Sequence, residues 1–238
     1  RVAYPAAWLV PPREGDGATD PGTGGVLVSH GHYVDAVWRM PTMERLASAV
    51  AGRPHGMTAD GLRTPDDFEQ VLGPAYGWMD GMAEYATSSG LTRSQRTSSG
   101  VWRQINAGRG WRGVALRRAV PIATRALGRA GLGRYESQLT PERLRIAGNQ
   151  GIARAIDQLG VAPDALIVGH THRAGPLAGD VPWEWRLARG GALLNCGAWV
   201  FNGPDLHEIT DQPAGYRPGR AVRIEADGVP RLVDLLDG

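Results

Sequence analysis

The sequence predicts a mixed α/β protein in which two β-patterned stretches, residues 1–39 and 160–238, bracket a mostly helical block, residues 40–159. Two observations carry this reading. The apolar runs Val26–Ser29, Ala165–Val168 and Ala192–Asn195 have the length and residue types of strands buried in a sheet. Between the first and second of these runs lie three helix-start signals. With 238 residues, 42% hydrophobic and 21% charged, the chain has enough apolar material to bury a core, which excludes disorder throughout.

Taken in order, Val2–Val10 is apolar and β-prone, and residues 11–25 hold three Pro and five Gly, the composition of a loop. Val26–Ser29 follows and ends at His30-Gly31-His32. Thr42 ahead of Met43, Leu46, Ala47 and Val50 places a capping hydroxyl before helical spacing. Thr64-Pro65-Asp66-Asp67 combines an N-cap, a Pro at the first helical position and two acids in the first turn. Phe68, Val71, Leu72 and Tyr76 supply that helix's apolar face. Thr140-Pro141-Glu142 repeats the signal, with Gly160 as the stop. Ala165–Val168 and Ala192–Asn195 then return to strand patterning. Residues 221–225 alternate as a half-buried strand, and Asp227-Gly228 turns the chain back into 231–236.

All 26 basic residues are Arg, and ten of them fall between Arg93 and Arg134, where no acid occurs. Leu116, Val120, Ala123 and Leu127 form one helical stripe there, with Arg117, Arg118, Arg125 and Arg129 on another face and Pro121 as a break. A basic amphipathic helix of this kind suits an anionic membrane surface, or it is the solvated face of an Arg-rich protein. No specific nucleic-acid signature stands out. Trp78, Trp102 and Trp111 either line a lid or fill a core. Cys196, the single cysteine, excludes an intramolecular disulfide and a thiolate zinc cluster, so a reducing cytoplasm, with peripheral membrane contact through residues 93–134, is the expected location. No run of apolar residues is long enough to cross a bilayer.

Four of the six His residues sit in two clusters, each at the exit of an apolar strand: His30-Gly31-His32 and Gly169-His170-Thr171-His172. Side chains two apart in an extended segment point the same way, roughly 6.5 Å apart. That spacing lets such a pair reach two metal ions about 3.5–4 Å from each other. The ends of strands in an open α/β sheet are where such folds bind ligands.

These motifs carry a resemblance. Ser29-His30-Gly31-His32 after one strand, Gly169-His170-Thr171-His172 after a later one, and Leu193-Leu194-Asn195-Cys196-Gly197-Ala198-Trp199 resemble the C-terminal half of the calcineurin-like metallophosphoesterases. The resemblance covers residues 1–39 and 160–238 and implies part of a four-layer α/β/β/α sandwich, with 40–159 as a helical insertion or cap. It implies two divalent metal ions (Mn, Fe, Zn or Ni): His30 and His170 on one, His172 on the other. His32 would stand behind the ligands or face substrate. Asn195 would support the site floor, or is simply a turn-capping Asn. Arg173 either touches a phosphate oxygen or is a solvated surface residue. The implied reaction is hydrolysis of a phosphate ester, or of a lipid-linked pyrophosphate.

The chain departs from the family pattern ahead of His30. Asp-x-His is absent ahead of His30, Gly15-Asp16 through Asp20 mimics Gly-Asp-x-x-Asp only in a loop, and Gly148-Asn149-Gln150 lacks the family's His. The expectation is therefore that the chain lacks a front segment, leaves its general acid unnamed, binds metal weakly and is nearly inactive alone. Two other readings stay open. One is a basic module that binds anionic lipid or nucleic acid and keeps a relic metal site. The other is a mononuclear centre of His30, His170 and His172.

Overall fold

The computed structural model describes residues 4–10, 24–88, 121–136, 140–199 and 214–236. The elements are β1 (Ala6–Val10), β2 (Val26–Ser29), α1 (Val34–Val37), α2 (Met43–Gly52), α3 (Pro65–Ser88), α4 (Pro141–Gln158), β3 (Ala165–Val168), β4 (Ala192–Asn195), β5 (Arg220–Ile224) and β6 (Pro230–Asp234). Residues 121–129 are also helical. The chain is thus mixed α/β. It divides into two compact units, residues 1–34 with 148–238, and residues 35–147. The sequence reading placed the corresponding boundaries at 39/40 and 159/160.

In the first unit the sheet order is β1-β2-β3-β4. β1 runs antiparallel to β2, while β2, β3 and β4 are parallel. All four residues of β3 are buried, as a central strand covered on both faces requires. Val26, Ala165, Ile167 and Leu194 form one buried face, and Val222 and Ile224 of β5 pack against it. The β5–β6 hairpin therefore sits as a second sheet on the first, turning at Asp227-Gly228 as expected.

The capping signals act as the sequence predicts. Thr42 accepts a hydrogen bond from the Arg45 N–H at 3.2 Å, and Thr140 accepts one from Arg143 at 3.2 Å. Thr64 and Asp67 cap reciprocally: Asp67 N–H donates to Thr64, and the Asp67 carboxylate accepts from the Thr64 and Arg63 N–H groups. Those bonds hold the Asp67 carboxyl below its usual pKa. In the second unit α2 and α3 pack against each other. Phe68, Val71, Leu72 and Ala75 are buried at i, i+3, i+4 and i+7 of α3, beside the buried Met40 and Leu62 of the same unit.

Trp78 is 51% exposed, so it fills no core. The Pro/Gly loop of 11–23, Asp16, Asp20, Trp102, Trp111, Leu116, Arg117, Arg118 and Val120 lie outside the described residues. Among the described residues no helix is long and apolar enough to cross a membrane.

Leu166 is fully buried in the central strand, whereas Leu9 on the edge strand is largely exposed. Leu166→Ala is expected to cost about 2–5 kcal/mol of stability, and Leu9→Ala no more than about 0.5 kcal/mol. Urea unfolding of the two variants measures the difference, and equal losses would contradict this sheet order.

Candidate metal centre

Three parallel strands in register must end at the same edge. Val28 pairs with Ile167, and Val168 with Asn195, so the residues following β2, β3 and β4 emerge side by side. The ladder continues one step past the strands, where Gly169 N–H donates to the His30 carbonyl at 3.2 Å. That bond places His30 and His170 on adjacent strand exits.

The two rings meet there. His30 Nε2 and His170 Nδ1 are 3.1 Å apart, with ring centroids 4.9 Å apart and planes nearly perpendicular. A contact this short needs a lone pair on at least one nitrogen, so the two imidazoles cannot both be cationic here. His172 feels the charge of His170, and burial followed by that charge lowers its pKa below the ordinary histidine value. His172 is thereby biased toward the neutral form that a metal ligand must have. Among the described residues, however, no three His, Cys, Asp or Glu side chains are grouped to hold one ion. The structure brings His30 and His170 together and leaves His172 outside such a group.

Neither histidine cluster is extended, contrary to the sequence expectation. Gly31 has φ +96°, and His170 and His172 have φ 44° and 60°, so both segments run through left-handed backbone rather than strand. Such conformations in non-glycine residues cost about 1–3 kcal/mol each and persist where their surroundings impose them. At Gly31 the requirement is also steric, since a Cβ there would stand 3.3 Å from Val168 Cβ and 3.5 Å from His170 Cβ. The backbone reversal sends His32 inward. It is 7% exposed, shares a hydrogen bond of 3.2 Å between Nε2 and the Tyr4 hydroxyl, and lies against the Tyr33 ring. His32 thus lies beneath the rim, with its ring centroid 5.7 Å from that of His30.

Asn195 imposes the shape of the Gly169–His172 loop. It is completely buried, and its Nδ2 donates to the Gly169 carbonyl and to Thr171 Oγ1, both at 2.8 Å. Its Oδ1 accepts from the Gly197 N–H at 2.8 Å, so it also caps the turn after β4. The turn-capping reading of Asn195 is the one this hydrogen bond shows.

Arg173 is the second correction. Its guanidinium forks onto the Asp180 carboxylate, with NH2 at 2.6 Å from Oδ1, donates to the Ala174 carbonyl and lies over the Trp185 ring. Both partners are largely desolvated. Detaching Arg173 to meet a phosphate would strand the buried Asp180 charge, which is strongly unfavourable. Arg173 is therefore not a solvated surface residue. Asp180 and Tyr4 had no signal in the sequence, because each is defined by a partner seven or 28 positions away. Cys196 donates its thiol to the Val168 carbonyl, and burial raises its pKa, so it offers no thiolate nucleophile.

No family model, curated protein or solved structure matches this chain.

Asn195→Ala removes three buried hydrogen bonds and leaves the Gly169 carbonyl without its side-chain donor. The expected loss is about 2–4 kcal/mol, read by urea unfolding. A second expected readout is perturbed His170 and His172 ring resonances by NMR. A variant with unchanged stability and unchanged resonances would show that Asn195 does not hold the loop.

Proposed function

We propose that the chain serves metal-dependent hydrolysis of a phosphate ester or pyrophosphate bond in a binuclear centre of the calcineurin-like metallophosphoesterase kind. The observation that carries this reading is the 3.1 Å separation of His30 Nε2 and His170 Nδ1 at adjacent strand exits. Two imidazole nitrogens bonded to one ion at about 2.1 Å, with bond angles near 90–110°, lie about 3.0–3.4 Å apart. The pair therefore fits the edge of a coordination sphere. The second sheet covering one face of the first supports the four-layer α/β/β/α arrangement of that family.

In this reading His30 and His170 hold one ion and His172 serves the other. A pair of divalent ions (Mn, Fe, Zn or Ni) supplies acidification of water and neutralisation of charge on the phosphoryl oxygens. The chain's own residues orient the donors. Asn195 braces the loop that presents His170 and His172, and Gly31 lets the His30 segment pass close to Val168. His32, bonded to Tyr4, supports the rim from inside. Arg173 and Asp180 keep the following turn in place.

A second reading, a basic module with a relic site, draws on the lack of a three-donor group among the described residues. Calorimetric titration of this chain with Mn²⁺ and Zn²⁺ separates the two. The proposal expects His30→Ala and His170→Ala each to weaken binding on the order of 10–100-fold, and hydrolysis of a p-nitrophenyl phosphodiester, where present, to be lost on chelation. Affinities unchanged in both variants would contradict it and leave the basic module.

A further inference from the structure

The residues that enter β1 lie at the same sheet edge as the histidines. β1 runs antiparallel to β2 with Ala6 across from Ser29, so the chain entering β1 meets the chain leaving β2. The Ser29 hydroxyl donates to the Pro5 carbonyl at 3.2 Å, which extends the contact one residue past the ladder. β1 and β3 are the two neighbours of β2. Tyr4 therefore flanks residue 30 on the side opposite to residue 170.

Tyr4 is exposed and tethered at once. It is 65% exposed, yet its hydroxyl shares a hydrogen bond of 3.2 Å with Nε2 of His32, which is itself buried. The Tyr4 and His32 ring centroids are 5.8 Å apart with planes inclined by 29°, and the His32 and His30 centroids are 5.7 Å apart. The exposed ring is thus no more than two ring spacings from a proposed metal donor. A surface side chain ordinarily loses rotamer freedom when a ligand packs on it, and that loss weakens binding. Here a buried imidazole restrains the ring beforehand, so a ligand has less ordering to offset.

The size and chemistry of that surface state what it can hold. A phenol ring favours offset stacking with another flat π-system. One ring is too small to hold an acyl chain, which needs a contiguous apolar patch. The side chains linked to it by ring contacts, His32 and behind it Tyr33 and His30, are rings as well rather than aliphatic groups. Stacking of a nucleobase on such a ring tolerates any base, because every base has a flat face.

We infer that Tyr4 is a specificity-determining residue of the histidine rim: its tethered, exposed ring is a stacking platform that selects phosphate esters carrying a planar aromatic group. The inference rests on the hydrolysis reading above and names the substrate class of that same site. The phosphate lies at the His30 and His170 end, and the planar group lies over Tyr4. A base joined to its phosphate through a sugar has the reach to meet both, whereas an ester without a flat group gains nothing from Tyr4.

The test titrates the Zn²⁺-loaded chain with AMP and with ribose 5-phosphate, which lacks the base, and follows binding by NMR. The parent is expected to bind AMP about tenfold more tightly than ribose 5-phosphate. Tyr4→Leu should bring that ratio close to one, and Tyr4→Trp, which keeps a flat ring, should retain it. Contacts between adenine protons and the Tyr4 ring protons in the parent alone give a readout that does not depend on either variant folding. AMP bound no more tightly than ribose 5-phosphate, a ratio that survives Tyr4→Leu, or adenine protons without contact to Tyr4 would overturn the inference. The two levels fail differently. Zn²⁺ binding that ignores His30→Ala and His170→Ala removes the metal centre and the platform with it, whereas Zn²⁺ binding that needs both histidines, with the two phosphates bound equally, removes the platform alone.

Discussion

The parallel register of β2, β3 and β4 is the constraint from which the rest of the first unit follows. Parallel neighbours end at one edge, so residues 30 and 170, separated by 140 positions, are delivered to the same place by ladder hydrogen bonds alone. A shift of one residue in the β2–β3 pairing would turn one of the two rings to the opposite face of the sheet. The buried faces resist such a shift, because Val26 would leave the core it shares with Ala165, Ile167 and Leu194. Asn195 carries the constraint one step further. By bonding Gly169 and Thr171 it transfers the rigidity of β4 to a loop whose own backbone conformations are unfavourable.

Much of this architecture was legible in local chemistry. Capping by Thr42, Thr64 and Thr140 needs only the side-chain oxygen and the N–H groups of the following turn, so spacing alone locates it. The β5–β6 turn at Asp227-Gly228 is local in the same way, and Gly228 takes the left-handed conformation it requires. Strand existence followed from apolar runs because a strand buried on both faces has no polar alternation to confuse the reading.

Legibility ended where residues distant in sequence decide a side chain's fate. Treating His30-Gly31-His32 as extended assigned both rings to one side, but the left-handed Gly31 separates a rim histidine from an interior one held by Tyr4. Arg173 looked free because nothing adjacent identifies Asp180 as its partner. The burial of Arg45 has no local signal, since the Tyr135 ring over it comes from 90 positions further along the chain. A charged residue in a capped first turn reads as a surface position, and only the fold reveals that the guanidinium is enclosed over Tyr135.

The central claim is that the paired imidazoles at the sheet edge share one ion. Proton NMR of the chain loaded with Co²⁺ addresses it most directly, since ring protons of a ligating histidine are shifted far outside the normal range by the paramagnetic ion. The account predicts hyperfine-shifted imidazole signals that disappear one set at a time in His30→Ala and in His170→Ala. Shifted signals that persist in both variants, or a spectrum without any at saturating Co²⁺, would contradict it.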